Sequence, residues 1–303
     1  MSFRLTILGT SSALPTSDRY PTAHVLNVHE RLFLIDCGEG TQMQMRRYRI
    51  RFGKINHIFI SHLHGDHFFG LYPLLSSFNL MGRKSPLNVY APEPFEEMLT
   101  RHLADFDIKL GFELMTHGLA GRSMKLILDD KRVQVFSFPL KHRVKTYGFM
   151  FREKEKDRKI IKEKIAGRGI TIAEIALLKK GADIVRDDGE VISNAEMTTL
   201  PAPGVSYAFC SDTAYFPGLS TYVAGVSLLY HEATFGDDHE SLARQTGHST
   251  ARHAATVARE AGAGRLLLGH FSARYKSPDQ LEEEARQIFP GAEAAREGET
   301  YDI

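Results

Sequence analysis

Short apolar runs broken by turn residues fill the N-terminal half of the chain. "FRLTIL", "AHVLNV" and "RLFLID" have the alternating, β-branched character of strands. Only His29-Glu30 separates the last two, as in a hairpin. "GEGTQMQMRRYRI" follows with helical character. "HIFIS" then predicts a strand, the segment from about Phe68 to Asn79 a helix, and "LNVYA" another strand. "PFEEMLTRHLADF" predicts a helix with proline at its start. "RVQVFSFPL", "SYAFCS", "VSLLYHEA" and "RLLLGH" are further strands, with helices near 249–262 and 278–288. Strands and helices in repeated alternation predict an α/β fold. No repeat at a solenoid period is visible.

One segment breaks this pattern. Between Lys141 and Arg168 stand 11 Lys/Arg against 4 Asp/Glu, a local net of +7 in a chain of net +1. The following "ITIAEIALLKKGADI" is more apolar and able to pack. Residues 153–200 therefore read as an insertion that leaves the main body and returns. The bland counterpart is a solvated, idle loop, which charge runs usually are.

Composition narrows the class. A chain of 303 residues with 43% hydrophobic content supports one large domain or two small ones. Net charge of +1 announces no nucleic-acid partner by a global field. Two cysteines, Cys37 and Cys210, make neither a disulfide framework nor a tandem zinc motif, and read as small buried thiols. "MSFRLTILGT" reads as a strand and lacks the basic start and cleavage site of a signal peptide. No apolar run approaches the roughly 18–20 residues of a membrane span. A reducing, cytoplasmic setting is the default expectation.

The chemistry concentrates in "HIFISHLHGDHFFGL", residues 57–71. An apolar run ends in Ser61, and His62, His64, Asp66 and His67 follow within six residues. Alternate side chains of an extended segment share a face, so His62 and His64 point the same way. Gly65 lets the backbone turn at low steric cost. Asp66 and His67 then face a neighbouring point. Imidazole and carboxylate suit Zn²⁺, and less naturally Mn²⁺ or Fe. One metal needs about four ligands, so the rest of the chain must contribute. The same grammar recurs: "VQVFSFPLKH" ends in His142, "SYAFCSD" in Asp212 and "RLLLGH" in His270. In α/β sheets, sites gather at the carboxyl ends of strands. His24, His29, His57, His102, His117, His239 and His253 stand outside such contexts and carry no assigned role.

"SHLHGDH" resembles the signature motif of the metallo-β-lactamase superfamily. More narrowly, "SHLHGDHFFGL", "PLKH…YGF", "SDT", "HEATF", "GHSTA" and "HFSARY" are similar, in order and spacing, to the short form of ribonuclease Z. That family comprises the endonucleases that trim tRNA 3′ ends. "LGTSSALPTSDR" and "LIDCGEGTQMQ" resemble it too, so the resemblance covers nearly the whole chain. It implies a metallo-β-lactamase-type αββα sandwich, one domain over 1–303, with residues 153–200 inserted as a flexible arm that holds RNA. The Gly-Pro-rich arm tip common in the family is replaced here by "AGRGITIAE", without proline.

The family pattern further implies two Zn²⁺ per subunit, with Mn²⁺ or another divalent ion as substitutes. His62, His64 and His142 would hold one, Asp66, His67 and His270 the other, and Asp212 would bridge them. The implied substrate is precursor tRNA and the implied assembly a homodimer. Cleavage would leave a tRNA 3′-hydroxyl and a trailer 5′-phosphate. His248 is the candidate general acid for the leaving alkoxide, and Glu232 the residue that orients it. Asp66 would also take the nucleophile's proton. Asp36 would support the metal loops, and Arg274 is a candidate phosphate contact.

Two rival readings stand beside this one. A related phosphodiesterase or sulfatase acting on a small ester would use the same metals but needs no basic arm. A non-catalytic RNA-binding scaffold is disfavoured because all seven ligand positions are filled. "GTSSALP" lacks both the dinucleotide-binding and the P-loop spacing.

Overall fold

The computed structural model describes residues 3–303. Met1 and Ser2, the first two residues of the stretch read as an N-terminal strand, lie outside the described residues. The chain divides into two compact units, one formed by residues 1–152 and 205–303, the other by Glu153–Gly204.

The larger unit is built on two seven-stranded sheets. The first runs Thr300–Asp302, Phe3–Gly9, Ala23–Val28, Arg31–Ile35, Ile55–Phe59, Leu87–Pro92, Leu114–Leu119. The second runs Ala292–Ala294, Arg265–Gly269, Leu228–Glu232, Ser206–Cys210, Tyr147–Glu153, Val133–Pro139, Lys125–Asp129. Period-two alternation assigns the faces. In the strand Ile55–Phe59 and just beyond it, Ile58 and Ile60 join the helices outside the first sheet, and Phe59 faces the second sheet. In Arg265–Gly269, Leu267 faces inward, while Leu266 and Leu268 pack on helices.

Helices Thr41–Arg47, Leu71–Leu80 and Phe95–Asp105 cover the first sheet with Met45, Leu74, Phe78 and Leu99. Helices Ala251–Ala261 and Asp279–Arg286 cover the second with Ala254, Val257, Leu281 and Ala285. The result is four layers, helix–sheet–sheet–helix, as the resemblance implies. Cys37 and Cys210 are buried free thiols.

Local chemistry explains several elements. His29 and Glu30 both take positive φ, 50° and 69°, which gives the two-residue hairpin a turn that matches strand twist. The helix expected over 68–79 is split. A single turn, Gly65–Phe68, precedes a separate helix at Leu71–Leu80. The break leaves Gly70 against the backbone of Gly38, where a Cβ would lie 2.0 Å from a carbonyl oxygen. The pattern predicts no strand at Leu114–Leu119, Lys125–Asp129 or Tyr147–Glu153. The first two are edge strands with largely intermediate or exposed side chains, so no strong alternation marks them. Tyr147–Glu153 is buried on both faces and reads as a plain apolar run.

The smaller unit has a small core of its own, Leu178, Ile184, Ile192 and Met197. Its helix Ile172–Lys179 starts at a capping box, in which Thr171 and Glu174 bond each other's backbone N–H. Two short antiparallel pairs complete it, Lys159–Ile160 with Thr198–Thr199 and Ile184–Val185 with Val191–Ile192. Over its full length it holds ten Lys/Arg and ten Asp/Glu, so the basic excess belongs to its first half alone.

Candidate metal centre

Loops that follow the carboxyl ends of four strands, and the end of a fifth, converge on one point. After Ile55–Phe59 come His62, His64, Asp66 and His67. After Val133–Pro139 comes His142, after Ser206–Cys210 Asp212, and after Arg265–Gly269 His270. The strand Leu228–Glu232 ends on Glu232 itself. Ligand atoms of His62, His64, His142 and Asp212 lie within 4.8 Å of one another, and so do those of Asp66, His67 and His270. Gly65 takes no positive φ. Its missing Cβ instead makes room for the Phe69 ring, which would stand 2.5 Å from a methyl group there.

Outer hydrogen bonds fix which ring nitrogens face inward. His67 Nδ1 lies 2.7 Å from Asp36 Oδ2. Ser61 Oγ donates to Asp36 at 2.8 Å, so it accepts from His62 Nδ1 at 3.0 Å. His142 Nδ1 donates to the Gly247 carbonyl at 2.8 Å. Thr234 Oγ1 donates to Glu232 at 2.6 Å and therefore accepts from His270 Nδ1 at 2.9 Å. Each outer nitrogen thus carries the proton, and each Nε2 carries a lone pair pointing inward.

Those lone pairs face one another. His67 Nε2 and His270 Nε2 are 3.3 Å apart, and the His62 Nε2 lone pair points at the His64 ring, 3.0 Å from its Nδ1. Asp212 divides itself between the groups. Its Oδ1 lies 3.3 and 3.1 Å from His67 and His270, and its Oδ2 lies 3.5 and 3.9 Å from His62 and His142. Asp66 Oδ2 stands 3.2 Å from His67 Nε2. Acceptors facing acceptors at these distances repel unless a cation lies between them. The all-N/O donor set, with neutral imidazoles in the majority, fits Zn²⁺.

The electrostatics agree. Burial drives His62 well below its ordinary pKa, keeping it neutral. Burial also opposes charge on His67, yet Asp212, Asp66 and Asp36 raise its pKa well above 6.5, so this point calls for positive charge. Burial likewise opposes charge on Asp66, but the His67 and His270 rings beside it pull its pKa far below the carboxylate range. Asp36 (φ 54°) and His270 (φ 58°) adopt the left-handed region, which Asp and His tolerate better than most side chains.

Beside the cluster lies a cavity of about 580 Å³, walled by Ser12–Leu14, Arg143, Phe235, His248 and Ser272–Arg274 together with the ligand loops. His248 Nδ1 is 2.9 Å from Glu232 Oε1. Glu232 is fully buried and also accepts from the backbone N–H of Thr213, Thr234 and Ser249. Burial works against charge on His248, but Glu232 outweighs it and raises the pKa to about 9. Arg274 and Arg143 both reach the cavity wall.

The seven sequence-derived ligands, His248, Glu232, Asp36 and Arg274 all lie at or around this centre. The seven histidines left without a role belong to none of its ligand groups. Sequence reasoning missed Ser61, Thr234 and the Gly247 carbonyl, which fix the rings. Ser61 precedes the motif directly, but no spacing rule distinguishes such a hydroxyl. A backbone carbonyl carries no sequence signal at all.

A family model described as "Anti-Pycsar protein Apyc1" matches residues 3–109. A protein of Bacteroides thetaiotaomicron called "Ribonuclease Z" is 44% identical over 295 residues, covering 97% of this chain and 93% of its own. Another of that name, from Porphyromonas gingivalis W83, is 42% identical over 302 residues, covering 100% and 99%. Among solved structures, human tRNase Z, short form, superposes with a TM-score of 0.74 at 27% identity, over 99% of both chains. The metallo-beta-lactamase fold protein YhfI from Bacillus subtilis superposes at 0.72 with 17% identity over 100% of both, which shows shared fold alone.

Proposed function

The chain belongs to the ribonuclease Z family, and from that premise we propose that it is a metal-dependent endoribonuclease removing the 3′ trailer from precursor tRNA. The products are a tRNA 3′-hydroxyl and a trailer 5′-phosphate. The observation that carries this reading is the facing of acceptors in two groups, with one oxygen of Asp212 in each.

His62, His64 and His142 would hold one divalent cation, Asp66, His67 and His270 a second, and Asp212 would bridge them. Zinc or another divalent cation held there would lower the pKa of bound water, to about 7 for zinc, and neutralise charge on a phosphate. The chain's own residues do the rest. Asp36, Ser61, Thr234 and the Gly247 carbonyl hold the imidazoles in one tautomer. His248, charged through Glu232, stands at the cavity wall with Nε2 free to protonate the leaving ribose 3′-oxygen. Arg143 and Arg274 offer guanidinium groups to flanking phosphates. Asp66 would serve as a ligand and also take the nucleophile's proton.

Residues 153–200 would act as an arm that grips tRNA away from the scissile bond, and the enzyme would work as a cytoplasmic homodimer. No helix of the described residues is long and apolar enough to cross a membrane. The deciding experiment is incubation with a tRNA precursor bearing a 3′ trailer, with the cut mapped. Cleavage at the 3′ end of the mature tRNA supports the proposal. Hydrolysis confined to small phosphodiesters rejects it.

A further inference from the structure

Glu297 lies outside the reaction chemistry, yet one of its oxygens closes a loop that walls the cavity. Oε1 accepts from the Thr10 N–H at 3.2 Å, the Thr10 hydroxyl at 3.4 Å and the Tyr20 N–H at 2.7 Å. Thr10 and Tyr20 are the two ends of the loop 10–20, whose tip residues Ser12, Ala13 and Leu14 line the cavity. Oε2 accepts from Gln44 Nε2 at 3.0 Å, and Gln44 is itself anchored on the Leu8 carbonyl at 2.8 Å. The carboxylate is thus saturated by donors from the loop's two ends and from the helix Thr41–Arg47 beneath.

A second tie runs from the same loop. Arg19 donates to the carbonyls of Ser272, at 3.2 Å, and Tyr275, at 2.7 Å. The segment 272–275 carries Arg274 and forms the adjoining wall. Ser12 N–H also bonds the Phe271 carbonyl at 3.0 Å, and Phe271 directly follows the ligand His270. Leu14 projects from this wall 67% exposed, an apolar side chain beside a strongly polar centre. An exposed aliphatic group there offers a packing surface for a nucleobase next to the scissile phosphate.

We infer that Glu297 and Arg19 are positioning residues that staple the loops 10–20 and 271–275 into one rim, against which Leu14 packs the RNA strand flanking the cut. The RNA part rests on the function proposed above, whereas the positional part stands on the hydrogen bonds alone. Such a staple matters only to a substrate long enough to cross the rim. Displacing a positioning surface by about 1 Å can cost up to about 10²-fold in rate.

The test uses the full chain with its metals bound. In Glu297→Ala, amide hydrogen exchange at Ser11, Tyr20 and Tyr275 should rise while the protected strands stay unchanged. On a trailer-bearing tRNA precursor, kcat/KM should fall at least about 10-fold further than on a nitrophenyl phosphodiester, mainly through KM. Glu297→Gln keeps an acceptor for Thr10 and Tyr20 and should recover part of that loss. Leu14→Asp, a change at an exposed position, should raise KM for the precursor without lowering the melting temperature.

Unchanged exchange in loop 10–20 would overturn the staple. Equal losses on both substrates, or loss of bound metal, would reduce Glu297 to a general folding role and overturn the inference as well. If the parent itself leaves the precursor uncut while exchange rises as expected, the functional proposal fails and the positional role survives.

Discussion

At the scale of single residues, the centre is decided by which atoms already have partners. Asp212 has an oxygen on each side, so Asp212→Ala should remove bound metal and nearly all cleavage together. Metal analysis finding two ions at full activity would exclude the bridging role. His248→Ala should instead keep the metals and slow cleavage of RNA about 10²–10⁴-fold, the usual worth of a positioned acid. A nitrophenyl ester, whose leaving group needs little protonation, should lose far less. Equal losses would make His248 a phosphate contact.

His24 makes a different residue-scale point. It is fully buried between the sheets, with Nδ1 on the Tyr207 hydroxyl, and burial lowers its pKa to about 3. A base depressed in the folded state contributes its full stability above the unfolded value of 6.5. That stability is lost progressively as pH falls from 6.5 towards 3. The slope is at most about 1.4 kcal/mol per pH unit. In chelated protein, denaturant titrations between pH 6.5 and 4 should therefore show a flatter acid slope for His24→Asn than for the parent. Parallel slopes would mean that His24 does not titrate on unfolding.

At the scale of elements, the strand Arg265–Gly269 shows how packing delivers His270, a proposed ligand, to the centre. Leu266 to Leu268 are clamped between two apolar layers, and His270 follows in the left-handed region. Gly269 carries no side chain because a Cβ would stand 2.2 Å from the Tyr230 hydroxyl and 2.5 Å from its ring. Gly269→Ala must shift either Tyr230 or the strand end, with overpacking costing roughly 1–3 kcal/mol. The expected outcome is a lower melting temperature together with weaker metal binding. Stability lost at unchanged metal affinity would show that the strand end moves without His270. The helix Ala251–Ala261 obeys a more local rule: Thr250 accepts from the His253 N–H, and five alanines and Val257 lie on its buried face.

At the scale of the whole molecule, the two compact units divide the labour that the proposal gives them. The unit Glu153–Gly204 balances its charges overall, with its cations concentrated before Gly169. Phosphate contacts supply affinity through counterion release and little sequence information. Replacing residues 154–198 by a Gly/Ser linker should weaken precursor binding and flatten its dependence on salt. Hydrolysis of a nitrophenyl phosphodiester should persist. Neutralising Lys159, Lys162, Lys164 and Arg168 together should reproduce most of the change in salt slope. A deletion variant that binds as the parent does across a salt titration would make the segment an idle loop.

The sequence by itself determined the strands that carry the proposed ligands, because apolar runs of β-branched residues ending in His or Asp leave little choice of conformation or location. It also pointed to a divalent metal, because three imidazoles and a carboxylate within six residues compete for too few partners unless cations satisfy them. Edge strands such as Leu114–Leu119 stayed illegible, since a half-exposed strand shows little alternation. Only the tertiary structure decided the protonation pattern of the centre. Ser61, Thr234 and the Gly247 carbonyl select each tautomer through contacts that no spacing encodes. It alone also tied Glu297 to Thr10 and Tyr20, residues at opposite ends of the chain. Local preference is written residue by residue, whereas a hydrogen bond across 287 positions exists only once the sheets have closed.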